Sequence, residues 1–516
     1  MEIFFGPEYN LIPEGIEDFK DVTGVIVGDH NLGFSNIYKI LKVFDHIFSD
    51  KKGIEVLKRV GYNNVTYVPM FFFDRNLHNP DDVTGEEERD IDILFVGNLN
   101  SEVQVERTKF LWKISQLPKN YQILITWGIY GVEYANLLKR SKIVFNRSIR
   151  SEANMRLFEA TASGALLFQE EENLEARDFF SEDEIVYYNE NNILDLLVEY
   201  LSDKGKRIKK IKNALERVKN YHTGKRWEII EDVMSRVNKQ REIPDDITHL
   251  KLKNAFQASL SKPHEFNNFR TGIMHIKPTL DLKISSETLN DAAAMLFLHG
   301  YLFGISDNNN KAITLLEKAL TFGDNLLIHF NLGNAYRILG DVNKSLLHYK
   351  KALESKHTSL SIPFVFEFGI FKTEWEKIFE ANCDDQQKLV QEISKLLIWS
   401  TLDSIGDILS KKGSFFEALD TYKYAQVIRP DIARTRYKAG KLLCALKRYN
   451  EALEDFKEAI KIDPSRVEFW DDVILSSYNS DKEYFEKIVE EFRAFLRCCP
   501  FALNRIKTAK YKELLI

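Results

Sequence analysis

Two apolar patterns alternate over the first half of the chain. Short runs of β-branched and aromatic residues recur between stretches whose apolar positions fall three and four apart, the signatures of buried strands and of helices. Glu2 to Phe5, Gly24 to Val27, His46 to Ser49 and Val65 to Val68 are predicted strands. Asn36 to Phe44 and Lys51 to Val60 are predicted helices. A second series follows: Ile91 to Val96, Tyr121 to Thr126, Lys142 to Phe145, Ala165 to Gln169 and Glu184 to Tyr188. Strands alternating with helices specify open parallel α/β sheets. The expected domains are therefore a short α/β domain over 1–80 and a second over 90–240, joined by the acidic segment Asp81 to Arg89.

The stretch from Lys142 to Glu172 is the most informative. Strand residues Ile143, Val144 and Phe145 run into a polar loop with Asn146, Arg147, Ser148, Arg150, Ser151 and Asn154. A helix follows, with Met155, Phe158, Glu159 and Ala162 on one face, and Gly164 ends it before the next strand. In open parallel sheets ligands bind beyond the carboxyl ends of the strands, where this loop lies. Arg156, at the loop-to-helix junction, can offer a bidentate fork to a phosphate or pair with Glu152 or Glu159. Glu159 sits on the apolar face, where a carboxylate is costly to bury unless a ligand or partner uses it. Asn154 either caps the helix or makes a polar contact to a ligand.

Other positions carry lesser signals. Gly97-Asn98, after the strand Ile91 to Val96, is a small turn through which backbone N–H groups can approach a diphosphate, or an ordinary strand-to-helix turn. Asp29 and His30 follow a strand end and can act as a base or close a turn. Asp90 and Asp92 flank a strand residue, and alternation points both to the solvated side rather than to a metal. Lys204 to Val218 is a basic amphipathic helix with Ile208, Ile211, Leu215 and Val218 predicted inward. In the next helix Thr223 is the expected cap, and Trp227, Ile230 and Val233 the inward residues.

Residues 241–285 read as a connector broken by Pro244, Pro263 and Pro278. Beyond it a 34-residue period appears: Gly406 recurs at Gly440, Ala418 at Ala452, Tyr422 at Phe456, Ala425 at Ala459 and Pro430 at Pro464. Gly333, Tyr336, Tyr349 and Ala352 fit the same template, as do Gly300, Ala312 and Ala319 one repeat earlier. This is the tetratricopeptide pattern, and it predicts an all-α solenoid over 286–516 that binds peptides or proteins. Trp470 opens a degenerate last unit, the expected cap. Residues 358–398 interrupt the array with an aromatic-rich insertion (Phe364, Phe366, Phe368, Phe371, Trp375, Phe379).

Composition narrows the class. With 44% hydrophobic and 29% charged residues the chain is an ordinary globular protein, and a net charge of −6 argues against nucleic acid as its main partner. Cys383, Cys444, Cys498 and Cys499 show no metal-ligand spacing, which suits a reducing, cytoplasmic setting. Neither a signal peptide nor a membrane-spanning run is expected.

The segments "FVGN" (Phe95 to Asn98), "NMRLFEATASGALLFQE" and "YHTGKRWE" (Tyr221 to Glu228) resemble GT-B glycosyltransferases, most closely the family of the spore-maturation protein CgeB. The resemblance spans roughly residues 20 to 235. It implies two Rossmann-like domains, the first shortened here, with a nucleotide-sugar donor (UDP-, GDP- or dTDP-linked) held mainly by the second. It implies that Arg156 and Gly97-Asn98 hold the diphosphate, that Glu159 binds the ribose and Asn154 contacts the donor, and that Asp29 or His30 deprotonates the acceptor. No metal and no further cofactor are expected. Glu152 and Glu159 stand seven apart, one short of the Glu-x7-Glu pair of many retaining members, so the stereochemical outcome stays open. The function implied is sugar transfer to a protein or glycan acceptor recruited by the repeats. The alternative is a non-catalytic scaffold built on a degenerate transferase domain.

Overall fold

A computed structural model describes residues 2–367, 369–464 and 466–503; of the expected elements, Phe368 and the end of the repeat region lie outside the described residues. The first sheet holds β1 (Glu2–Phe5), β2 (Thr23–Val27), β3 (His46–Ser49) and β4 (Val65–Tyr67), parallel and in chain order. The second holds β5 (Ile91–Val96), β6 (Ile123–Thr126), β7 (Ser141–Phe145), β8 (Leu166–Glu170) and β9 (Val186–Tyr188). All its pairs are parallel, in the order β6-β5-β7-β8-β9. Central strands of such sheets are covered on both faces, which is why they read as unbroken apolar runs. Val25 to Val27 and Ile143 to Phe145 are fully buried.

The chain forms two compact units. One gathers residues 1–49, 53–67 and 234–435, and the other residues 50–52, 68–233 and 436–516. The repeat helices up to Thr435 thus belong with the first sheet and those from Arg436 with the second, a grouping the repeat pattern alone does not reveal. The stretch 241–285 holds two helices, Ile247–Ser261 and Phe266–Leu282, and Pro278 lies inside the second instead of breaking it. Every side of Ile247–Ser261 from His249 to Leu260 is buried. Its polar residues bond the loops beyond the first sheet: Asn254 Nδ2 donates to the Pro7 and Asn10 carbonyls (2.9 and 3.1 Å), and Gln257 Nε2 donates to the Leu32 carbonyl (2.9 Å).

The repeat helices pack through the residues that define the period. A Cβ placed on Gly333 would lie 2.4 Å from the ring of Tyr349, on Gly406 2.4 Å from Tyr422, and on Gly440 2.6 Å from Phe456. Each glycine therefore lets the paired helix bring an aromatic ring against bare backbone. In the insertion, Phe364, Phe371, Trp375 and Phe379 are buried, on or just before the helices Ile370–Asn382 and Gln386–Lys411. In the last unit, Trp470 stacks on Phe492 (centroids 4.6 Å) and on Trp112 (4.7 Å) of helix Val105–Ser115, so its helices pack against the second sheet's own layer.

Two predicted faces are rotated. Helix Lys204–Val218 buries Arg207, Ile211, Ala214 and Val218, leaving Ile208 and Leu215 half-buried. In helix Thr223–Met234, Trp227 is 40% exposed, and Arg226 faces inward with Nε donating to the Pro69 carbonyl (3.0 Å). In that inward position the guanidinium satisfies a buried backbone acceptor.

Candidate active site

The second sheet reads 2-1-3-4-5 in chain order, so its topological switch point lies between β5 and β7. At that point Arg156 ties the two strand ends together. Its Nη1 donates to Asn146 Oδ1 (2.8 Å), one residue past β7, and its Nη2 donates to the carbonyl of Val96, the last residue of β5. The guanidinium rests on the Phe95 ring, 4.7 Å from its centroid. Two of its five N–H groups are used in this way, a further side-chain hydrogen bond joins it to Tyr134, and Nε is buried with no hydrogen-bond partner among the described residues.

Gly97 is part of the same arrangement, since a Cβ there would fall 2.6 Å from Arg156 Nη2. Asn98 is exposed, and its Oδ1 accepts from the Asn100 N–H (2.9 Å), forming the turn. Asn154 occupies the cap position of helix Met155–Ala162, yet its side chain makes no cap bond. It exchanges amide bonds with Asn146 (3.0 and 3.1 Å), because the buried Asn146 needs partners that water cannot supply.

Two further arginines stand here: Arg107, which sequence reasoning overlooked, and Arg147, which it named only as a residue of the loop. Arg107 is buried; its Nε and Nη2 donate to the Arg147 carbonyl (3.1 and 2.7 Å), and its guanidinium lies over the same Phe95 ring at 5.6 Å. Burial, and after it the nearby Arg156 charge, pull Arg107 down to about 10. Arg147 lies over the Phe110 ring at 4.8 Å. Carboxylates share this neighbourhood: Arg147 Nη1 pairs with Glu172 Oε2 (3.3 Å), and the charges of Glu152 and Glu170 act on Arg107. Glu170 holds the loop that carries Arg147 in shape: its Oε1 accepts from the Ser148 N–H (2.9 Å), the Ser148 hydroxyl and Asn173 Nδ2 (3.2 Å). A single acidic residue at the end of β8 has no sequence pattern that announces this task.

Glu159 is buried one turn beyond Arg156. Burial raises its carboxyl, while Arg156 and a hydrogen bond from Tyr134 oppose the rise. His78 Nε2 lies 3.8 Å from Glu159 Oε1, but burial pushes that imidazole down to about 4, so it stands neutral near pH 7.

In the other unit, Asp29 follows β2 and accepts a hydrogen bond from the Tyr9 hydroxyl. Beside it lies Glu8, not singled out from the sequence, whose Oε1 accepts from the N–H groups of Gly28 and Asp29 (2.9 and 3.0 Å). Glu8 Oε2 is buried without a partner among the described residues, and burial, with help from the Asp29 charge, pushes the carboxyl up to about 7. His30 is fully buried, its ring 4.9 Å from that of Phe34 and its Nε2 3.3 Å from Ser49 Oγ. An imidazole enclosed on this scale serves packing and offers no open face to an acceptor.

Asp90 and Asp92 are committed to cations: Arg140 Nε donates to Asp90 Oδ1 (2.8 Å) and Lys142 Nζ to Asp92 Oδ1 (2.7 Å). Among the described residues the group with ligand-like spacing is His249, Glu287 and Asp291. There His249 Nε2 and Asp291 Oδ2 are 2.9 Å apart, and Lys253 lies 3.7 Å from both Glu287 and Asp291. A buried ammonium already fills the cation's place.

Residues 90–232 match the glycosyl transferase-like family model, and residues 433–466 and 327–356 match tetratricopeptide repeat models. The chain carries a glycosyl transferase-like domain together with tetratricopeptide repeats. Over 64 residues it is 41% identical to the inactive TPR repeat-containing thioredoxin TTL3 of Arabidopsis thaliana, a match covering 12% of this chain and 9% of that protein. Among solved structures, a glycosyltransferase from Rickettsia africae aligns at a TM-score of 0.34 and 12% identity over 46% of this chain and 78% of its own. TarM aligns at 0.33 and 10% over 45% and 54%, and MamA at 0.27 and 16% over 42% and 97%. Among the described residues no helix is long and apolar enough to cross a membrane.

Proposed function

We propose that the chain is a GT-B-type glycosyltransferase, of the kind typified by the spore-maturation family, that moves a sugar from a nucleoside diphosphate to a polypeptide or glycan recruited by its repeats. The observation that carries this reading is Arg156, joined to both strand ends at the switch point with N–H groups to spare and Glu159 buried one turn along its helix. The diphosphate lies against Arg156, Arg107 and the Gly97-Asn98 turn, and Glu159 accepts from the ribose hydroxyls. Asp29, which accepts from the Tyr9 hydroxyl, is the expected base for the acceptor hydroxyl. The acceptor oxygen then bonds to the anomeric carbon while the bond from that carbon to the phosphate oxygen breaks. The electron pair leaves on the nucleoside diphosphate, whose charge the arginines offset.

His30 has no part in this scheme. The repeats contribute the recruiting surface, and exposed Phe416, Tyr424 and Val427 are the apolar side chains that a polypeptide would cover. Cysteines held in no disulfide among the described residues fit work in the cytoplasm. The reading is tested by incubating purified protein with UDP-, GDP- and dTDP-sugars, with and without acceptor from a lysate. Release of one nucleoside diphosphate that rises with acceptor is expected; no release from any donor would refute it.

A further inference from the structure

Between the helices Val342–Glu354 and Ile370–Asn382, residues 355–367 form neither helix nor strand. This segment lies along two repeat helices, Ser286–Phe303 and Leu326–Ile338, whose side chains bond its main chain at alternate residues. Asn290 Nδ2 and Asn331 Nδ2 donate to the Ile362 carbonyl (2.9 and 3.0 Å), and Asp291 Oδ1 accepts from the Ile362 N–H (3.0 Å). Two residues on, Asn331 Oδ1 accepts from the Phe364 N–H (2.7 Å), and Asn334 Nδ2 donates to the Phe364 carbonyl (3.1 Å). Bonding both main-chain groups of every second residue is how an extended chain is read from one side. Pro363, which has no N–H to offer, stands at the residue between.

The clamp residues also fix one another. Asn331 Nδ2 donates to Asn290 Oδ1 (2.7 Å), and the Tyr349 hydroxyl donates to Asn334 Oδ1 (2.6 Å). All of them are buried. Because they bond main chain alone, they fit any sequence, and the pockets for alternate side chains set the choice. Ile362 and Phe364 are buried in one apolar cluster with Ile328 and Leu332, and the Phe366 ring stacks on Phe297 (centroids 6.0 Å). We infer that this groove is a polypeptide-binding site filled by the chain's own segment, and that a partner segment with the pattern apolar-x-aromatic-x-aromatic takes its place. The tether holds the segment at roughly millimolar effective concentration, so it is an autoinhibitory plug that a dilute partner does not dislodge. The inference deepens the recruiting role proposed for the repeats and rests on it. Its test contains no sugar donor, so peptide binding here and sugar transfer by the chain fail separately.

The probe is a labelled synthetic peptide of residues 357–367, titrated into the full chain with fluorescence anisotropy as the readout. Ile362→Ala with Phe364→Ala weakens the plug, and this double variant is expected to bind the peptide at least about tenfold more tightly than the native chain. Adding Asn331→Ala should weaken that binding about tenfold or more, and a peptide with alanine in place of Ile362 and Phe364 should not bind. Hydrogen exchange on the native chain gives a second reading if the double variant folds poorly. There the Ile362 and Phe364 amides should exchange by local opening, at least about tenfold faster than amides in the middle of helix Leu326–Ile338. Equal binding by the native and plug-weakened chains, binding indifferent to Asn331, binding of the alanine peptide, or exchange of the segment only together with that helix overturns the inference.

Discussion

Arg156 and Asn146 face each other across the end of β7, with Nη1 of the arginine 2.8 Å from Oδ1 of the asparagine. Asn146 is fully buried and also donates to Gln169 Oε1 (2.7 Å), so the amide is fixed and the guanidinium is aimed before any ligand arrives. Gly97 makes room for that aim. Gly97→Ala would put a methyl group 2.6 Å from Arg156 Nη2 and must displace it. The expected result is at least about tenfold weaker nucleoside diphosphate binding by calorimetry, with stability lowered by about 1–3 kcal/mol or less. Unchanged affinity would separate Gly97 from the site.

Glu159→Gln removes the charge of a buried carboxylate but keeps its shape. If Glu159 receives the ribose hydroxyls, the variant should bind a ribonucleoside diphosphate about tenfold or more weakly, corresponding to the loss of a charge-assisted bond of about 1.5–3 kcal/mol. Its thermal stability should be equal or higher, because burial disfavours the ionised native side chain. A variant that binds as tightly as the native protein would remove Glu159 from the donor site.

Glu8 predicts a pH dependence. An unfolded glutamate loses its proton near 4.5, whereas buried Glu8 holds its own to about 7. Between those values the folded chain binds the extra proton, so this contribution is complete below pH 4.5 and fades as pH rises through 7. The loss is on the order of 3 kcal/mol. Glu8→Gln keeps an acceptor for the Gly28 and Asp29 N–H groups and should flatten that part of the profile. Denaturant unfolding at pH 5 and pH 8 measures it, and equal pH sensitivity in both proteins would contradict the account.

The central strands were legible because they are buried on both faces and so read as unbroken apolar runs, and the half-buried β1, β4 and β6 because they keep β-branched and aromatic residues; the edges moved by two residues at most. The helix Ile247–Ser261 was not, since burial on every side erases the one-sided period, and its Lys251, Lys253, Asn254 and Gln257 look like surface residues until their partners are seen. Arg156 and Glu159 stood out because polar residues at a strand-to-helix junction are costly without a task. Glu8, Arg107 and Glu170 did not, because each draws its role from residues distant in sequence. Glycines at a fixed period gave the repeats away, but not which sheet each helix joins.

The period itself can be tested at Gly406, where a Cβ would lie 2.4 Å from the Tyr422 ring. Gly406→Ala should lower stability by about 1–3 kcal/mol despite the better helix propensity of alanine. A thermal melt decides it. A raised Tm would mean that the helices can part at little cost.

The central claim is that the switch point of the second sheet binds a nucleoside diphosphate through Arg156, and calorimetry in the presence of chelator tests it most directly. UDP, GDP and dTDP are titrated into the native protein and into Arg156→Ala. The account predicts that one nucleotide binds without metal and that the variant weakens it by about 1.5–3 kcal/mol, roughly 10- to 150-fold. Binding that requires magnesium and is indifferent to Arg156 would contradict it.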